Sequence, residues 1–243
     1  MNMTSVSAYW RPESLGQALE LLDRPSAVVL GGGTKLSAAP SDAVVEVVDL
    51  QALRLNDIEP GERAAVSIGS AATLQQVADS DHVPAVVREA ARREQPSGLR
   101  AQATIGGCIA TGDAESELLA VLLVHDAVVT MAAGTGVVER PLDALLAHLP
   151  LPSKTILLGV TIATSGVAAV SRTARTPADK AIVAAAARRI RGVRYVALSG
   201  VAYRPVLADR VADLDPIGDF RGSSEYRRAL AAIHLERVAE AIS

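Results

Sequence analysis

Apolar positions three or four apart mark helices along this chain, and short runs of branched apolar residues between them mark strands. Behind Ser14, a cap-forming residue, Leu15, Ala18, Leu19 and Leu22 make one apolar face, and Pro25 ends the helix. Residues 27–30 and 44–50 read as strands. Residues 54–58 and 64–68 flank Glu59-Pro60-Gly61-Glu62, a hairpin signal. Thr73 caps a short helix through Asp79. Residues 83–94 put Val86, Val87 and Ala90 inside and Arg88, Arg92 and Arg93 outside. Residues 115–125 predict an amphipathic helix with Leu118, Leu119, Leu122 and Leu123 toward a core. A second hairpin is expected over 127–133 and 136–140, about Gly134-Thr135-Gly136, then a short helix over 141–148.

Pro150 and Pro152 bracket an expected linker. Beyond it, 155–164 reads as the strand that opens a second domain, with 167–170 as its pairing partner. A basic turn follows over 172–175, before Pro177. The stretch 181–190 is ambiguous, because its alanines favour helix. Residues 195–201 predict a strand, and 224–242 a closing amphipathic helix with Ser224 as its cap.

Two glycine stretches interrupt these patterns: Gly31-Gly32-Gly33-Thr34-Lys35-Leu36 after the strand at 27–30, and Thr104-Ile105-Gly106-Gly107-Cys108. Consecutive glycines cost backbone entropy and need a reason. One reason is a tight turn. The other is close approach, in which backbone amides touch an anionic ligand and the neighbouring Thr34 and Thr104 add hydroxyls. Neither stretch is a Gly-x-Gly-x-x-Gly opening a helix, so a Rossmann dinucleotide site is not expected.

Composition narrows the function classes. Hydrophobic residues are 49% of the 243, enough for a sizeable core. One Phe, one Trp and four Tyr give little surface for stacking nucleobases, and a net charge of −3 gives no basic field, so nucleic acid is not an expected partner. The single Cys excludes an internal disulfide and an iron–sulfur cluster held by this chain alone. No stretch is apolar enough to span a bilayer, and the N-terminus lacks the pattern of a secretory signal; a cytoplasmic protein without membrane insertion is expected. No nucleophile–base pair supports hydrolysis, His125 reads as a helix-end residue rather than a base, and His82, His148 and His234 have no spacing that suggests a metal site. Cys108 reads as a small packed thiol. Arg188, Arg189, Arg191 and Arg194 read as a solvated or partner-facing edge.

With these motifs in place, the chain resembles the FAD-binding (medium) subunit of molybdenum hydroxylases, the carbon monoxide dehydrogenase and xanthine dehydrogenase type. The family's first signature is similar to Ala-Gly-Gly-Thr-Asp-Leu and its second to Ala-Thr-Ile-Gly-Gly-Asn; Gly32-Gly33-Thr34 and Thr104-Ile105-Gly106-Gly107 match them. Val48-Asp49-Leu50, Ile68-Gly69-Ser70, Arg175 with Asp179, and Ser224-Glu225-Tyr226-Arg227-Arg228 match in order along the chain. Lys35 stands where the family has Asp and is expected to face solvent. Cys108 stands for Asn, Ala114 for Pro and Glu117 for Asp.

The resemblance implies an α+β fold: a two-lobed FAD-binding domain of the vanillyl-alcohol-oxidase/PCMH type over 1–152, with lobes of about 1–52 and 53–152, and a smaller, shortened α+β domain over 153–243. It makes 181–190 a strand. It implies FAD as cofactor, with the pyrophosphate between the glycine stretches. The site would comprise Gly31, Gly32, Gly33, Thr34, Lys35, Leu36, Thr104, Ile105, Gly106, Gly107 and Glu117, with Glu117 accepting bonds from ribityl hydroxyls and no catalytic or metal-ligating residue. It implies partners as well: a molybdopterin-binding large subunit and an iron–sulfur small subunit, whose electrons this subunit passes through FAD to an external acceptor. Two other functions are a scaffold that has lost FAD and a stand-alone flavin oxidase.

Overall fold

The computed structural model describes residues 5–35, 44–134, 136–208 and 210–243, without the side chain of Asp213. The elements run β1 (Ser5–Trp10), α1 (Leu15–Leu21), β2 (Ala27–Leu30), β3 (Val44–Asp49), β4 (Ile58–Pro60), β5 (Ala65–Gly69), α2 (Leu74–Asp79), α3 (Ala85–Glu94), α4 (Ser97–Arg100), α5 (Ile105–Thr111) and α6 (Glu117–Val124). They continue through β6 (Val128–Ala133), β7 (Gly136–Pro141), α7 (Leu142–Ala147), β8 (Thr155–Ala163), β9 (Val167–Thr173), β10 (Val183–Ile190), β11 (Val193–Ser199), β12 (Val206–Leu207) and α8 (Ser224–Ala241). The fold is α+β.

The strands form three sheets, ordered β1-β3-β2, β4-β5-β8-β6-β7 and β12-β11-β10-β9. In the first, β1 and β2 both run parallel to β3. The local signals hold where chemistry is local. Ser14 Oγ accepts the amide of Gln17 at the start of α1. Thr73 and Gln76 form a reciprocal capping box on α2. For α8 the cap is Ser223, whose Oγ accepts the amide of Tyr226, one residue before the expected Ser224.

Three expectations need correction. The strand over 155–163 does not pair with 167–173. It lies at the centre of the five-stranded sheet, antiparallel to β5 and β6, while β9 pairs with β10. The strand expected to open a second domain therefore completes the sheet before it. Helix α6 is not amphipathic: all eight of its residues are buried. It packs on α3, β10 and β11, as a helix that is apolar all round beyond Glu117 must. Arg188 is not at a solvated edge either. It is 1% exposed, and its guanidinium donates to the carbonyls of Val124 and Ser165 and to Asp126.

The alanine-rich stretch 183–190 is a strand for a packing reason. It is covered by α6 on one face and α8 on the other. Ala186 joins the core under α6, while Ala185 and Ala187 join the core under α8. Small side chains let both helices approach, and that burial overrides helix propensity.

Candidate functional site

The first glycine stretch leaves the carboxyl end of β2, where Leu30 lies beside Asp49 of β3. Crevices at the carboxyl ends of parallel strands are where sheets of this kind take ligands. Two of its three glycines answer to the protein itself. A Cβ on Gly32 would sit 1.7 Å from the carbonyl oxygen of Gln102, so the first glycine segment meets, backbone to backbone, the residues that lead into the second. Gly33 has φ +72°, a conformation that side chains disfavour.

The second stretch is the first turn of α5, not a loop. Thr104 is its cap, and its Oγ1 accepts the Gly107 amide at 3.1 Å. The Ile105 amide donates to Ala72 O and the Gly106 amide to Ser70 O. These three amides are therefore engaged within the protein. A Cβ on Gly106 would lie 2.7 Å from Ser70 O, so this glycine admits the backbone of Ser70. Gly107 instead leaves part of a cleft wall without a side chain.

Between the segments lies an extended cleft of three adjoining cavities, and Gly31 and Thr104 line all of them. One, of about 180 Å³, is bounded by residues 29–35, Thr104, Gly107, Cys108 and Thr111, with Glu94 and Asp113 at its end. The second, of about 140 Å³, is lined mainly by Val29, Leu50, Ala71, Ala110, Leu151 and Leu157. The third opens toward Asp49, Gln51 and Gln102. A compartment bordered by Lys35, Glu94 and Asp113, joined to a more apolar one at a glycine waist, suits a long ligand with charged and ring portions.

The structure thus brings together Gly31, Gly32, Gly33, Thr34, Lys35, Thr104 and Gly107 around one cavity, with Gly106 on the adjoining one. Ile105 is fully buried core. Leu36 lies outside the described residues. Glu117 is not among the cleft-lining residues. It is 4% exposed and paired with Arg93 at 3.1 Å and with Arg172 at 2.9 Å. Burial raises its carboxyl above the usual range, against the pull of Arg172 and Arg93. No periodicity could show this, because Arg172 arrives from β9.

The acids that line the first of these cavities are Glu94 and Asp113. Lys180, from the turn before β10, bridges them at 3.1 and 2.7 Å. Ser116 Oγ also donates to Glu94. Lys35, half-exposed, leans toward Asp113 at 4.0 Å rather than only into solvent. Desolvation raises the Glu94 carboxyl, opposed by Lys180 and Ser116. At Asp113 desolvation acts upward too, but Lys180, the Glu115 amide and Lys35 outweigh it and hold the carboxyl low. Burial, then the nearby Glu94 carboxylate, pushes the Cys108 thiol up, which keeps it protonated and inert. The sequence signal that could have found Asp113 is its place directly after Gly112, which ends α5 at φ +56°. Nothing in the sequence pairs it with Lys180.

The family model described as the FAD binding domain in molybdopterin dehydrogenase matches residues 3–164, ending one residue past β8. A protein of Escherichia coli K12 known as uncharacterized protein YgfM is 32% identical over 246 residues, spanning 94% of this chain and 93% of its own. Among solved structures, a carbon monoxide dehydrogenase from Hydrogenophaga pseudoflava, lacking the Mo-pyranopterin moiety of the molybdenum cofactor, superposes with TM-score 0.88 at 23% identity. That match covers 100% of this chain and 98% of the other. Quinoline 2-oxidoreductase from Pseudomonas putida 86 superposes with TM-score 0.87 at 22% identity, covering 100% and 98%. These structures share the fold. The cleft, the two glycine segments and the family match together place this chain in the family of FAD-binding domains of molybdopterin dehydrogenases.

Proposed function

We propose that the chain is the FAD-carrying electron-transfer subunit of a cytoplasmic molybdopterin-dependent dehydrogenase. The carrying observation is the cleft in which both glycine segments of the family meet, where a compartment bordered by Lys35, Glu94 and Asp113 adjoins a more apolar one at Gly31 and Thr104. FAD, when bound, supplies the ability to exchange electrons singly or in pairs. The residues of this chain bind and orient it. Gly107 keeps the wall free of a side chain, and Lys35 offers a cation at the mouth. The salt-bridged Glu94, Lys180 and Asp113 give a charged border in which one ammonium is shared by two carboxylates. The cofactor's substrate-derived electrons are proposed to come from an iron–sulfur small subunit, fed by a molybdopterin-binding large subunit. One Cys cannot build a thiolate-ligated cluster on this chain. Among the described residues no helix is long and apolar enough to cross a membrane.

The test is co-expression with the native neighbouring subunits. The expected result is a complex carrying iron–sulfur centres and molybdenum, from which acid releases FAD, and whose flavin absorbance bleaches on adding the organic substrate only when all subunits are present. Turnover of an organic substrate with oxygen by the chain alone would point to a stand-alone oxidase. A colourless complex that takes up no added FAD would point to a scaffold.

A further inference from the structure

Helix α8 leaves the end of the sheet beneath it open. Ala185 and Ala187 of β10 pack under α8, so the next residue on that face is Arg189. The pairing sets Val167 of β9 directly opposite Arg189 on one side and Arg194 of β11 on the other. The helix stops at this row. Its C-cap, Ile242, is buried, and the Ile242 carbonyl accepts a hydrogen bond from the Arg189 guanidinium. That bond gives Arg189 a local reason, since a cation suits a helix C-terminus. Arg194 has none. It stands cross-strand from Arg189, and like charges directly opposite are destabilising.

The turn beside this row carries a second unanswered cation. Arg191-Gly192 alone joins β10 to β11, with φ +49° and +81°. A two-residue turn with both φ values positive ordinarily takes Asn, Asp or Gly at its first position. Arg191 is a long side chain held where side chains are disfavoured. Arg189, Arg191 and Arg194 are all exposed, and none forms a salt bridge with a carboxylate of the described residues. Glu236 and Glu240, toward the end of α8, form no ion pair with them. Val167 in the row and Val193 beside the turn are each more than half exposed.

We propose that the tip of the β10–β11 hairpin is a docking surface for a carboxylate-rich patch on a partner subunit. Charge complementarity carries the assignment. Arg191 and Arg194 stand where the fold itself gains nothing from a cation, and carboxylates arriving with another chain answer them. The guanidinium fork suits carboxylates in a bidentate pairing. Arginine beside exposed apolar side chains is also a composition that protein interfaces favour. Nucleic acid fits the tip less well, because the chain's net charge is −3 and three cations at one tip make no extended basic stripe. The tip is remote from the cleft: the eight residues of β10 separate it from the turn that carries Lys180, about 27 Å of extended strand. It therefore serves assembly rather than the cofactor. The proposal rests on the heteromer reading above.

The experiment titrates the full chain into its native partner subunits, purified without it, at low and at high salt. It compares wild type with Arg191→Glu/Arg194→Glu and Arg191→Lys/Arg194→Lys, leaving Arg189 in place at the end of α8. Wild-type affinity should fall as salt rises. The glutamate pair should weaken association at low salt by roughly tenfold or more, and its affinity should no longer fall with salt. The lysine pair keeps the charges and should restore the salt dependence. Melting temperature and FAD affinity should match wild type in both variants. Equal affinity and equal salt dependence in wild type and the glutamate pair overturn the surface. So does a loss of association accompanied by a lower melting temperature that the lysine pair shares, which marks a structural role. Binding of a random-sequence DNA duplex by wild type, lost in the glutamate pair, reassigns the tip to nucleic acid and also overturns it. A wild-type chain that does not associate with these subunits at either salt overturns the heteromer reading itself.

Discussion

Glycines that look alike in the sequence make opposite demands in the structure, and alanine substitution separates them. At Gly32 an added Cβ lies 1.7 Å from the Gln102 oxygen and 2.5 Å from its carbonyl carbon, both backbone atoms. One segment must retreat by about 1.5 Å before the contact is ordinary, and tightly packed interiors resist such shifts. Overpacking costs typically 1–3 kcal/mol, and the entropy lost by the unfolded chain returns about 0.4–1 kcal/mol. A net destabilisation of about 1.3 kcal/mol follows, or roughly 3–5 °C in melting temperature for a chain of this size. At Gly107 the added Cβ meets only Thr104 Oγ1, at 3.1 Å. Alanine is a better helix former than glycine by about 0.8–1 kcal/mol, which offsets that contact. Gly107→Ala should therefore melt within about 2 °C of wild type yet bind FAD more weakly, because its methyl group enters the cleft. Gly32→Ala should melt lower and lose FAD only as a consequence of the displaced loop. Apoprotein melts and FAD titrations of both variants decide. If Gly32→Ala melts like wild type, or Gly107→Ala is the less stable of the two, the reasoning fails.

Three further outcomes follow from buried charge. His234 is fully buried between the hydroxyls of Ser171 and Thr173, and burial, with Arg237 adding to it, lowers its pKa to about 4. The unfolded chain binds the proton first, so stability should fall as pH drops from about 6.5 to 4, by at most about 3 kcal/mol; urea unfolding of His234→Phe should lack this component, and an identical pH slope would refute it. Arg188→Met leaves the Val124 and Ser165 carbonyls unpaired and should cost about 2–4 kcal/mol in chemical denaturation, whereas Arg191→Met should be near neutral. Lys180→Met leaves Glu94 buried without its cation. The folded pKa of Glu94 then rises further, so its contribution is retained at low pH and lost as pH rises through that value, and the variant should melt higher at pH 5 than at pH 8 relative to wild type.

Legibility in the sequence follows the range of the interaction. Ser14, Thr73 and the hairpin at residues 58–69 act within a few residues, and the sequence displays them. The two glycine segments are visible too, and with the ordered family motifs they point to the cleft. What stayed hidden depends on distant partners. Strand β8 finds β5 about ninety residues upstream, so its branched run looked equally suited to a following domain. Strand β10 is alanine-rich because helices cover both its faces, and local propensity cannot register them. The exchange of Glu117 for Glu94 and Asp113 as the acids near the cleft turns on Arg172 and Lys180, which reach them from the C-terminal sheet and the turn before β10. The first strand, β1, exposes most of its residues and carries no buried alternation to betray it.

The central claim is that the cleft between residues 29–35 and 104–111 holds FAD. The most direct measurement is an equilibrium titration of the deflavinated, folded chain with FAD, followed by flavin fluorescence, in wild type and in Gly107→Val. Wild type should bind one FAD per chain saturably. The variant should lose that binding while keeping the circular dichroism spectrum of the fold. Saturable binding of equal affinity in both proteins, or none in a folded wild-type chain, would contradict it.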